Sequence, residues 1–328
     1  MRNSIGFIVL VWALLLHGCG GGGGGSSSSS STSTSPSVFA SGNSMAYLRH
    51  LAFDGSYLYV VDSNTSATSS VAPVSYGHLR QINATSGSLV TTFEPPSTYL
   101  KDVFSFAKFN GSYLVTATIV GGSTGVTEIN SSTYAFTNKA VLSSPYGLAV
   151  DTGYTHLFAA NQSANTVVVY DTSYTILKSI CNTTTNGACA SSTANADWVF
   201  PTGLAYDGSA YIYVTSFSGG NKGLYKIKTS DYSVTSISST LFNNPNGVAV
   251  YTTTGDVYVV NTGSGDTDSS ILKITSDGTV STFLDGSVTS NMLCKPIGAA
   301  ISGSYLYITN GVCTTNSTYA SSVIKISL

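Results

Sequence analysis

Short apolar runs recur along almost the whole chain, each alternating hydrophobic and polar positions and each ended by Gly, Asn, Asp or Ser. The stretch "LFAANQSANTVVVYD" (157–171) shows the unit of the pattern: an apolar run, a polar turn, and a second apolar run ending in acid. Period-two alternation in segments rich in Val, Ile, Tyr and Thr predicts half-buried β-strands, because successive strand side chains point to opposite faces. Asp54-Gly55, Asn110-Gly111 and Asp207-Gly208 separate the first and second runs of their units and mark tight hairpins. "TSGS" at 85–88 and "SDGT" at 276–279 do the same between third and fourth runs. Beyond the first residues of the chain, no stretch carries a helical period.

The unit is repeated. "SPYGLAV", "FPTGLAY", "NPNGVAV" and "KPIGAAI" open four successive copies, "LRHLAF" opens an earlier one, and "FSFAKF" belongs to a degraded one. The second runs end at Asp62, Thr118, Asn161, Ser216, Asn261 and Asn310, a spacing of about 50 residues, within the range of repeat architectures. Four antiparallel strands per copy, repeated radially, predict an all-β fold: a six-bladed β-propeller. The last copy stops after its third run, "SVIKISL", whereas an orphan run, "SVFASG" (37–42), precedes the first copy and matches the fourth run "STFLDG" (281–286). The N-terminal strand is therefore expected to complete the sixth blade beside 322–327 and remove an open sheet edge. The weakly patterned segment 181–200 leaves seven blades as the alternative.

The "P-x-G-L-A" starts at Pro145, Pro201, Pro245 and Pro296 resemble NHL repeats and the related SMP-30/gluconolactonase group. "LFAANQSANTVVVYD" is more similar to a YVTN repeat, with its Ala-Asn, small polar turn and Asn-Thr-Val. Together these resemblances cover almost all of residues 45–328. They imply architecture more than activity, because propellers host unrelated functions.

The chain opens "MRNSIGFIVLVWALLLHGCGGGGGG". The apolar stretch from Ile5 to Leu16 is too short for a ~30 Å hydrocarbon core and reads as a secretory signal. Leu16-His17-Gly18-Cys19 resembles the lipobox of bacterial lipoproteins, with His17 in place of the usual small residue. That resemblance implies cleavage after residue 18, acylation of Cys19 and anchoring to a membrane of the bacterial envelope. Cleavage by an ordinary signal peptidase nearby is the alternative. Residues 19–37 then form a lipidated cysteine and a Gly/Ser linker that cannot bury a core, and 38–328 form the propeller domain.

Composition narrows the chemistry. A formal net charge of −2 and no basic cluster argue against a nucleic-acid partner, and a monomer is expected. Besides Cys19 there are Cys181, Cys189, Cys294 and Cys313, an even number on an exported chain, which suggests two disulfides. Cys294 stands just before a first strand and Cys313 just after its second, so antiparallel pairing brings them together. Cys181 and Cys189 share one long loop and are expected to bridge each other. A zinc site is the rival, but these cysteines have no close Cys pair and no nearby His.

Connections between first and second and between third and fourth strands are short, whereas "SNTSATSSVAPVSYG", "CNTTTNGACASSTANADW" and "VCTTNSTYASS" all fall on the opposite face. Long loops on a rigid scaffold carry function disproportionately. Aligned first strands place Arg49, Ser105, Tyr146, Thr202, Asn246 and Ile297 around the channel mouth on that face, with Asp62, Asn161, Asn261 and Asn310 near it. These Asp and Asn residues are expected mainly to cap backbone groups, and Arg49 to form a structural ion pair near Asp62. A ligand is expected against Arg49, Tyr146, Trp198 and Asn246. Trp198 reads either as a contact residue or as a plug seating its insertion, and Tyr57 and Tyr211 as core between blades.

The SMP-30 resemblance implies a divalent cation at the mouth, with Asn246 of "PNG" as a ligand and a lactonase activity. The chain's two glutamates, Glu94 and Glu128, do not align with the mouth, and a hard cation wants several charged oxygens. Asp266 and Asp268 form a second, weaker cation motif. No G-x-S-x-G elbow is present, and His50, His78 and His156 have no readable partners. The leading expectation is a binding or scaffolding lipoprotein whose long-loop face engages an envelope glycan or protein, without cofactor.

Overall fold

Each alternating run pairs with the next one along the chain, so hairpins stack into separate small sheets. The computed structural model describes residues 35–42, 45–63, 77–93, 100–119, 123–182, 195–219, 221–265, 267–314 and 317–328. Among them are six sheets, each built on four antiparallel strands: blade one spans 48–93, blade two 100–141, blade three 145–182 (with a short fifth strand at its edge), blade four 201–237, blade five 245–285 and blade six 296–327 together with the N-terminal strand. The first strands of successive blades lie side by side and close a ring around a central channel. The fold is a six-bladed β-propeller.

The ring closes through the N-terminal strand Ser37–Ala40, which pairs antiparallel with Val323–Ser327; Val38 stands opposite Ile324 and Ala40 opposite Val323. Phe39 packs edge-on against Tyr307, centroids 5.0 Å apart, so the closing strand adds buried surface as well as ladder bonds. Among its described residues, segment 181–200 holds no seventh blade: Asn195–Ala196 pairs in parallel with Cys181–Asn182 as a short fifth strand at the edge of blade three.

Every first strand begins with a register break, as between Pro145 and Leu148 or Pro245 and Val248. Proline is tolerated there because it stands first in an edge strand. The glycine that follows is required by close approach. A Cβ on Gly147 would lie 2.1 Å from the Thr202 carbonyl oxygen, one on Gly203 2.2 Å from that of Asn246, one on Gly247 2.5 Å from that of Ile297, and one on Gly298 2.5 Å from that of Arg49. The P-x-G signature therefore records contact between blades.

The core lies between blades. Tyr59, Val61 and Phe93 of blade one meet Phe106, Val115 and Ile129 of blade two, with Tyr59 stacked on Phe106 at 4.5 Å. Tyr57 and Tyr211 are half-buried at the margins of such clusters, while Tyr59 and Tyr213, two residues on, are the buried members. Trp198 is fully buried between blades three and four, packed edge-on to Tyr225, with its indole N–H donating to the Asn165 carbonyl at 3.0 Å. It seats the insertion and presents no surface to a ligand.

Candidate functional site: the long-loop face

The residues that end the second strands hold the loop preceding their own blade's first strand. Asn161 Oδ1 accepts the Ser144 amide, Asn261 Oδ1 the Asn243 amide and Asn310 Oδ1 the Cys294 amide, and Asn261 and Asn310 also donate to the Leu241 and Met292 carbonyls. In blade one Asp62 accepts the Ala46 and Tyr47 amides. Its ion-pair partner is Arg80, at 2.9 Å with both side chains buried, rather than the expected Arg49. The Cys294–Cys313 disulfide forms as expected, with Cα atoms 5.4 Å apart. Cys181 is disulfide-bonded too, while Cys189, its expected partner, lies outside the described residues, as does Cys19.

Pairing registers refine the mouth. Ala107 aligns with Ala149, which puts Phe104 beside Tyr146 in the series and moves Ser105 one position inward, where its hydroxyl accepts the Leu148 amide at 3.1 Å. The same registers make Ala117, not Thr118, blade two's counterpart of the strand-end Asp and Asn residues, although this strand runs on to Ile119 and Ala117 has no side chain that could cap the preceding loop. At this end the channel is filled: Phe104, Tyr146, Thr202, Asn246 and Ile297, with His50 beneath, leave a cavity of about 10 Å³. The wider part of the channel, about 460 Å³, runs toward the short-loop face, where Asp54, Lys108 and Tyr154 rim it. The sequence placed the open end on the other face. It overlooked that the side chains in its own mouth series are large enough to meet across the axis.

Arg49 makes the cross-axis contact. Its Nη1 donates to Tyr146 Oη at 3.3 Å and its Nε to Ser63 Oγ at 3.3 Å. Its guanidinium carbon lies 4.4 Å from the Tyr47 ring centroid and 5.3 Å from that of Phe104. Threonines invisible to motif reasoning lock the mouth residues in place: Thr116, Thr215 and Thr309 donate to the main-chain carbonyls of Tyr146, Asn246 and Arg49 in the next blades. The recurring Thr just before the strand-end residue was the available signal.

The mouth does not fit a divalent cation. Asn246 is buried, its amide nitrogen reaches Thr262 Oγ1 at 3.5 Å, no carboxylate among the described residues belongs to the ring, and a guanidinium occupies the same entrance. Of the second motif, Asp266 lies outside the described residues. Asp268 is saturated by Ser264, Gly265 and Asn243; its burial opposes ionisation, but these hydrogen bonds hold it far below the usual carboxylate range. His156 does have an acid partner, Asp151, at 2.7 Å from its Nδ1. The Thr155 hydroxyl donates to the same carboxylate oxygen at 2.6 Å, so the group closes the 151–156 turn instead of aligning a nucleophile.

Off the axis, the long-loop face carries a cleft of about 580 Å³ over blade four, between the segment that precedes that blade and the connection that leaves it. Hydroxyls of Ser236, Ser238, Ser239 and Thr240 line one wall, and Asp197, Asn221 and Lys222 the other, over the buried Tyr225 and Phe242. Burial, and then a hydrogen bond with Asp197, raise the Tyr225 phenol well above its ordinary value, so it stays protonated and donates to the Asn221 carbonyl at 3.2 Å.

No protein-family model matches the sequence, and no curated protein is significantly similar to it. Solved structures do resemble the fold. An auxiliary nutrient binding protein from Bacteroides ovatus aligns with a TM-score of 0.60 at 12% identity over 90% of this chain and 72% of its own. A virginiamycin B lyase from Staphylococcus aureus gives 0.58 at 12% identity over 89% and 99%. A structural-genomics protein of unknown function from Bacteroides thetaiotaomicron gives 0.58 at 16% identity over 89% and 75%. At these identities the likeness is one of fold: the chain shares the propeller with binding proteins and enzymes alike.

Proposed function

We propose that this chain is a lipoprotein of a bacterial envelope, acylated at Cys19, whose propeller is a binding platform that engages a glycan or a protein through its long-loop face. The observation that carries the reading is the cleft over blade four. It is built largely from connections of that face, it carries one acid and one base, Asp197 and Lys222, and its walls converge hydroxyl, amide and charged groups over aromatic residues. Such a surface suits adaptable hydrogen bonding and needs no titrating pair or cofactor. The P-x-G-L-A starts agree with an NHL-like propeller, and a nutrient-binding protein of the same fold supports a display role by analogy.

The test is capture of envelope glycans and proteins by the full chain, comparing D197A/K222A with N110A on the short-loop face. Loss of capture in the first variant alone, with both melting like the parent, supports the reading. Equal capture by both refutes the cleft.

A further inference from the structure

Resting on the binding-platform reading, we propose that Arg49 is a recognition point for a carboxylate, and that the ligand is an acidic saccharide bearing uronic-acid groups. A guanidinium has five N–H groups. One is taken by Ser63 Oγ and one by Tyr146 Oη, which leaves three without an acceptor among the described residues. No carboxylate among those residues lies within ion-pair distance. Asp62, beside which the sequence places Arg49, is occupied by Arg80 and by the Ala46 and Tyr47 amides.

The group is held in place from three blades. Ser63 donates to the Val103 carbonyl at 2.6 Å, which fixes the hydroxyl that receives Arg49 Nε. The Phe104 ring packs on Tyr146 at 5.0 Å, and Thr116 holds the Tyr146 main chain. A cation held this way loses little freedom on binding, and its half-buried setting strengthens its field. Both hydrogens of Nη2 and one of Nη1 stay free to donate to a carboxylate. Tyr47, Phe104 and Tyr146 beside it offer apolar ring surface suited to the C–H faces of a pyranose.

The probe is trigalacturonate, with its methyl ester as the uncharged control and triglutamate as the acidic peptide, titrated calorimetrically against the full chain, R49M and R49K. Met preserves apolar packing on the rings without charge. Expected are binding of trigalacturonate but not of the ester, weakening by about tenfold or more in R49M, partial retention in R49K, and loss of affinity with added salt. Because R49M can disturb the mouth, Arg side-chain ¹⁵N resonances of the unmutated protein are followed in parallel, and one of them should shift on titration. Equal affinity of R49M, binding of the ester, no binding of trigalacturonate, or no Arg shift overturns the inference. Triglutamate binding as well as trigalacturonate overturns the saccharide assignment. If those failures coincide with envelope capture that still depends on Asp197 and Lys222, the platform reading stands and only the Arg49 inference falls.

Discussion

Asp62→Asn looks harmless in the sequence, since Asn161, Asn261 and Asn310 occupy the same position in three other blades. The structure makes the opposite prediction. Opposite the residue two positions before each of these on the second strand (Ala159, Val259, Ile308 and, in blade one, Val60), the third strand carries Val168, Leu272 and Ile324 in the three Asn blades but Arg80 in blade one. Asp62 and Arg80 are both buried, joined at 2.9 and 3.0 Å. The substituted carboxamide retains an oxygen for the Ala46 and Tyr47 amides, but Arg80 is left buried without the countercharge that Asp62 supplies. Breaking such a pair costs about 3–5 kcal/mol, or roughly 5–8 °C in melting temperature for a domain of this size. D62N/R80L recreates the Asn-and-aliphatic arrangement of the other blades and should recover most of the loss. Calorimetry and urea denaturation of D62N, R80L and the double variant give the coupling. A D62N melting temperature unchanged within about 2 °C, or a double variant no more stable than D62N, refutes the reasoning.

Three further outcomes follow from the same structure. Replacing Cys294 and Cys313 by Ser opens a loop with a sequence separation of 19; chain-entropy arguments give a loss of about 3 kcal/mol, read by denaturation with and without reductant. G203A drives a Cβ against a backbone oxygen at 2.2 Å and should cost about 1–3 kcal/mol, whereas G153A, whose nearest contact is a Thr155 methyl at 3.4 Å, should stay within about 0.5 kcal/mol; paired melts decide. His50, with a buried and unpartnered Nδ1, is pushed down by burial from 6.5 to about 4. The unfolded chain therefore binds the extra proton first, and stability present above about pH 6.5 falls as pH drops toward 4, by up to about 3 kcal/mol. H50Q should flatten that limb of the pH–stability curve.

The sequence by itself determined the repeat, the strand count per blade, the closure by 37–42 and the Cys294–Cys313 bridge. These rest on local, periodic information: alternation sets which face of a strand is buried, turn residues set where it reverses, and one copy explains the next. It also identified the face that carries the long loops and the capping role of the strand-end Asn residues, because both follow from strand direction alone. Tertiary structure decided what side chains from different blades do when they meet. Whether Trp198 is a contact or a plug depends on the space between blades three and four. Whether Asp62 pairs with Arg49 or Arg80 depends on a third strand 18 residues away. That the channel closes at Arg49 and Tyr146 and widens toward Asp54 and Lys108 depends on side chains converging from six separate copies. No period in the sequence encodes those distances; they follow from the radius of the ring and from which residues are large enough to cross it.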